Sequence, residues 1–162
     1  MPAAPLAVLA LLLAACGAAP PPRDIHDADV RTIREGESLW VRHWSTRDAD
    51  GIVSHYAEDA IWMAPHMPLA NGRETIREVV RKLVQDANFS LSFETSRVDT
   101  DKSGELGYSQ GKYTMTLTDP VSKKAVTDEG SYVRIYRRAP DGSWRTIQEI
   151  NTSSPTGAPA MR

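Results

Sequence analysis

Apolar residues recur with two different periods along this chain, and the change between them divides it into a helical first half and a stranded second half. From about Asp27 to Thr46, Val30, Ile33, Trp40 and Trp44 fall near one face at helical spacing, with Arg and Glu elsewhere. That pattern predicts an amphipathic helix, weakened by Gly36. Asp48 or Asp50 can cap a short second helix that buries Ile52, Val53 and Tyr56. A third is predicted to begin at Asn71, because Asn71 and Glu74 stand at capping-box spacing and Ile76, Val79, Val80 and Leu83 form an apolar stripe behind them. Between the second and third helices, the apolar run Ala60 to Ala64 before Pro65 reads as a small strand.

The period then drops to two. Four strands are predicted, at Phe89 to Asp99, Leu106 to Asp119, Ala125 to Arg138 and Trp144 to Ser153. Phe89, Leu91 and Phe93 share a face of the first, and Tyr113, Met115 and Leu117 share a face of the second. Asp119 with Pro120, and Pro140, Asp141 and Gly142, are turn chemistry between antiparallel neighbours. This order predicts an α+β domain: a curved antiparallel sheet with about three N-terminal helices packed on its concave side. With 162 residues there is room for one such domain, over residues 25–153, and residues 154–162 read as a disordered tail.

The amino end has a different character. Residues 1–15 contain no charged side chain, and the apolar run from Leu6 to Ala15 is shorter than the roughly 20 residues that cross a bilayer. Its end, Leu13, Ala14, Ala15, Cys16, resembles the lipobox of bacterial lipoproteins. The resemblance implies a signal peptide over 1–15, diacylglycerol on the Cys16 thiol and a Pro-rich tether over 16–24, so that membrane contact is through the lipid anchor alone. Gly17 after the cysteine implies an outer-membrane address facing the periplasm. The plain alternative is an ordinary signal peptide cleaved after an Ala-x-Ala-like site, with secretion to the periplasm and Cys16 incidental.

Composition excludes several chemistries. A single cysteine leaves no internal disulfide and no Cys-based zinc site. A net charge of −2 without a long basic run gives nucleic acid no electrostatic footing. His26, His43 and His55 lack metal-ligand spacing, and there is no Gly-rich phosphate loop or nucleophile elbow, so neither a metal nor a cofactor is called for.

The element order, the run Tyr56 to Ala60 before the small strand, Gly72 to Ile76 opening the third helix, and Gly130 to Arg138 followed by Asp141 to Trp144 together resemble the nuclear transport factor 2-like superfamily. That superfamily includes the SnoaL-like proteins and ketosteroid isomerase. The resemblance runs from about Val30 to Ser153 and implies a cone-shaped cavity and a homodimer, on a fold that hosts enzymes, binders and scaffolds alike. Ketosteroid isomerase chemistry needs a carboxylate base and an oxyanion hole of a tyrosine and a protonated aspartate. Registered on Asp59 and Ala60, the base position falls at Ala64, the tyrosine position at Trp40, and the oxyanion acid at Arg134 or Tyr132. All three have departed, so that mechanism is rejected.

The same register aims Ile147, Glu149 and Asn151, and Trp62, Ala64 and His66, toward the cavity. Glu149 is the candidate general base or acid, with His66 or Tyr132 as proton donor. Its plain alternative is a structural acid paired with Arg134 or Tyr132. Trp40, Trp62, Tyr113, Met115, Arg134 and Asn151 are candidate ligand contacts; the plain alternative for the aromatic ones is core. Two functions therefore stand: a binder of a small apolar or amphipathic molecule, and a cofactor-independent SnoaL-like enzyme of isomerase, hydratase or cyclase type.

Overall fold

The structure, a computed structural model, describes residues 25–154 of the 162. The expected leader, Cys16, the tether and nearly all of the expected tail lie outside the described residues. Helix α1 (Ile25–Ser45) turns Ile33, Glu37, Trp40 and Trp44 inward, all of them buried. Helix α2 (Ala49–Ser54) is capped by Asp48, whose carboxylate accepts from the Gly51 N–H at 2.9 Å. Of the two capping candidates, Asp48 is the one used. Tyr56 is not part of that helix; it opens strand β1 (Tyr56–Met63), which is longer than the predicted Ala60–Ala64 segment.

The start of the third helix also differs from expectation. Asn71 belongs to the two-residue strand β2 (Ala70–Asn71), where it pairs with Ile61. Helix α3 (Arg73–Gln85) begins two residues later, behind Gly72 at φ 88° and without a side-chain cap. Asn71, paired in the ladder, stands one residue before the N-cap position, which Gly72 takes, and Gly72 supplies the left-handed corner that lets the chain leave the sheet.

Strands β3 (Ser90–Thr100), β4 (Leu106–Thr118), β5 (Ala125–Arg138) and β6 (Trp144–Ser153) complete a sheet in the order β2-β1-β6-β5-β4-β3. Its pairs are antiparallel apart from β1 with β6, which run parallel and slip register between Tyr56 and Ile61. Further bulges, between Thr95 and Arg97 and between Ile135 and Tyr136, strengthen the twist that bends the sheet around the helices without closing it. Alternate β4 and β5 residues, among them Tyr113, Met115, Tyr132 and Arg134, face the helices and are buried.

The core that results has two parts. The larger one packs Trp40, Trp44, Ile52, Tyr56, Ile76 and Val80 with their neighbours; the smaller gathers Ile33, Val98, Tyr136 and Trp144 near the start of α1. Between these two lies a buried polar cluster, and it positions the site.

Candidate functional site

Arg134 projects from β5 into the interior with only 3% of its side chain exposed, where an unpaired guanidinium would cost several kcal/mol. Two carboxylates meet it: Nη1 donates to Glu37 Oε1 at 3.2 Å and Nη2 to Glu149 Oε1 at 3.1 Å. Its flat face lies against Trp40, Phe93 and Tyr132, at 4.3, 4.1 and 4.1 Å from the ring centres. Burial pulls its pKa down, but Glu149, Tyr136 and Glu37 outweigh that and hold the guanidinium charged, well above its usual range.

Glu37 comes from α1. Ser109 and Tyr136 each donate a hydroxyl to its Oε1 at 2.5 Å, and Thr95 and Tyr132 donate to Oε2. Burial works against its charge, yet the Arg134 guanidinium and the hydroxyls of Ser109, Thr95 and Tyr136 leave its carboxyl below the usual carboxylate range. Glu149, from β6, is matched in the same way: Arg134 takes Oε1 and the Tyr56 hydroxyl donates to Oε2. Burial, then the neighbouring carboxylate, pushes the Tyr56 and Tyr136 phenols well above their usual range, so both remain donors. Two carboxylates on one guanidinium leave one negative charge in excess, spread over hydroxyl donors.

On one side of this cluster opens a narrow cavity. Trp44, Trp62, Met67, Leu91, Phe93 and Met115 make apolar walls, while Arg134, Glu149 and Asn151 supply its polar part. Trp62 Nε1 donates to Asn151 Oδ1 at 2.7 Å, tying β1 to β6 at the wall. Tyr113 also lines it, with its hydroxyl donated outward to Asp128 at 2.6 Å; burial and that bond raise its pKa to about 12. The walls stand so close that the centre of a water molecule has only about 20 Å³ to occupy. A larger guest therefore needs a wall side chain to move.

The expected site residues are distributed unevenly. Glu149, Arg134, Asn151, Trp62, Tyr113 and Met115 converge on the cavity. Trp40 does not line it: the indole is buried beneath the Arg134 guanidinium and stacks on His55 with ring centres 4.7 Å apart. Tyr132 points to the Glu37 side of the cluster, bonded to Thr95 at 2.8 Å. His66 is exposed, at φ 60° on the turn after β1, so its neighbours Pro65 and Met67 form the wall and its imidazole does not. Glu149 has the paired character of the plain alternative, with Arg134 and Tyr56 as partners. Glu37 was missed by the sequence reading, as were the donors Ser109, Thr95 and Tyr136. Glu37 did leave a trace, since a glutamate four residues after Ile33 and three before Trp40 falls on the apolar stripe. At the positions that correspond to the isomerase machinery stand Ala64 in the cavity wall, Trp40 under it, and Arg134 where a neutral acid would be.

Comparison with known proteins agrees with this fold. A family model described as a SnoaL-like domain matches residues 38–147. Among solved structures, a ketosteroid isomerase-like protein from Erwinia carotovora atroseptica superposes with a TM-score of 0.67 at 19% identity, covering 78% of this chain and 98% of that one. A nuclear transport factor 2-like superfamily protein from Salmonella enterica gives 0.65 at 11% identity, covering 84% and 99%. One of unknown function from Pseudomonas putida gives 0.64 at 20%, covering 79% and 88%. No curated protein matches by sequence. At these identities the structural likeness speaks to fold alone, whereas the family match extends over most of the described residues: the chain belongs to the SnoaL-like domain family, on the nuclear transport factor 2-like fold.

Proposed function

We propose that this protein holds a small apolar or amphipathic molecule in the cavity between sheet and helices, as a binder of the bacterial cell envelope. The observation that carries the reading is the make-up of that cavity, in which apolar walls enclose a small polar part whose carboxylate is already engaged on both oxygens by Arg134 and Tyr56. Two built-in donors already occupy one lone pair on each Glu149 oxygen and fix the carboxylate in place, so what remains is an acceptor that can orient a guest. Acid/base catalysis of SnoaL-like type is the second reading, favoured by the one fact that Glu149 still forms part of the wall.

Native mass spectrometry of the Cys16→Ser protein is the test. A co-purified small molecule that Trp62→Ala releases is expected; an empty protein that no amphiphile stabilises against heat would end the binding reading. Turnover of a bound molecule that vanishes in Glu149→Gln would instead favour the enzyme. The envelope address rests on Leu13 to Cys16, and unchanged detergent partitioning of Cys16→Ser would remove it. The expected homodimer finds support on the outer face of the sheet, where Met63, Ile150 and Val133 form one cross-strand row and Ile61 and Ile135 flank another.

A further inference from the structure

Resting on the binding reading above, we propose that the guest of the cavity is a cation: an ammonium group carried on an apolar body. The charges surrounding the cavity point that way. Arg134 is the only cationic side chain in its wall among the described residues, and both ends of its guanidinium face carboxylates, Glu37 at 3.2 Å and Glu149 at 3.1 Å. One guanidinium against two carboxylates leaves the buried cluster at −1. A further carboxylate, Asp128, stands behind the wall residue Tyr113, 2.6 Å from its hydroxyl. A carboxylate guest would thus be desolvated beside Glu149, with both terminal nitrogens of the guanidinium already held by carboxylates, a costly arrangement in a low-dielectric interior. An ammonium group meets the opposite situation: its charge offsets the excess.

The walls favour the same class. Trp44 and Trp62, with ring centres 6.5 Å apart and 58° between planes, offer two tilted aromatic faces, and Tyr113 adds a third ring. Aromatic faces attract cations through the negative potential above the ring, most strongly for tryptophan and in the absence of water. Each Glu149 oxygen keeps a second lone pair after accepting from Arg134 or Tyr56, so an ammonium N–H has an acceptor in the wall.

The test compares three probes of one shape on the intact folded protein at pH 7: octylammonium, octan-1-ol and octanoate, each titrated by calorimetry. Octylammonium is expected to bind about tenfold more tightly than octanol, with octanoate the weakest. Glu149→Gln is expected to bring octylammonium to the level of octanol. Should that variant fail to fold, Asp128→Asn, at a partly exposed position, is expected to weaken octylammonium two- to threefold and leave octanol unchanged. Octanol binding as tightly as the ammonium, through the buried and unpartnered Arg134 Nε–H, overturns the charge preference and leaves a neutral-ligand cavity standing; so does octanoate binding more tightly than octanol. If none of the three binds, the cavity reading itself falls and the present inference with it.

Discussion

Arg134 shows at the level of one residue why this interior is a commitment. Replacing it with Met removes a cation from between two buried carboxylates while preserving much of its volume. The variant is expected to lose about 3–5 kcal/mol of stability, the usual penalty of leaving buried charge unpaired. Adding Glu37→Gln and Glu149→Gln to Arg134→Met is expected to restore most of it, since the charge that needed a partner is then gone; urea unfolding of the single and triple variants measures both. Equal stability of wild type and Arg134→Met would show that the cluster does not carry the charges assigned to it. His55 gives the pH dependence. Burial, then the neighbouring His43 ring at 3.1 Å, lowers its pKa to about 3, against about 6.5 when unfolded. The unfolded chain therefore takes up the proton first as pH falls. The stability that neutral His55 contributes is complete above pH 6.5 and declines from there toward pH 3, by about 1.4 kcal/mol per unit at the steepest. His55→Phe, which keeps a ring on Trp40, is expected to reduce the loss between pH 7 and pH 5 by about 2 kcal/mol relative to wild type. Parallel pH profiles of the two proteins would rule this out.

At the level of elements, two glycines carry opposite expectations. Gly36 sits within α1 with nothing within 4 Å of where a Cβ would be, so Gly36→Ala is expected to stabilise the protein by about 0.5–1 kcal/mol through helix entropy alone. Gly130, in β5, has the Thr152 carbonyl oxygen 2.0 Å and the Tyr113 ring 2.6 Å from that point. Gly130→Ala must push apart the β5–β6 ladder or tip the Tyr113 wall, and is expected to cost about 1–3 kcal/mol or more. Thermal unfolding of the pair checks both signs, and a stabilised Gly130→Ala would contradict the packing described. The elements themselves were largely legible in the sequence, because each apolar stripe is a local pattern. What went unread depended on partners: Asn71 looks like a helix cap until the ladder with Ile61 claims it, and Glu37 looks like a blemish on α1 until β4 and β5 surround it with hydroxyls.

For the molecule as a whole, the outer face of the sheet bears on assembly. Met63, Ile150 and Val133 lie side by side across three strands with Ile61 and Ile135 next to them, an apolar area on a surface that monomers usually keep polar. Val133→Glu combined with Ile150→Glu is expected to convert a dimer to a monomer in sedimentation equilibrium without loss of secondary structure. A wild-type protein that sediments as a monomer at tens of micromolar would show the face to have another use. The primary structure by itself determined the kind and order of the main elements, and hence the fold class, since periodicity and turn chemistry act over a few neighbouring residues; the two-residue strand β2 left no such pattern. Only the folded chain decided that Glu37, Arg134 and Glu149, up to 112 positions apart, share one buried cluster and that His66 stays outside it. The reason is geometric: a contact across a bent sheet depends on bulges and register accumulated over several strands, and a one-residue slip in any of them would send the same side chain to the opposite face.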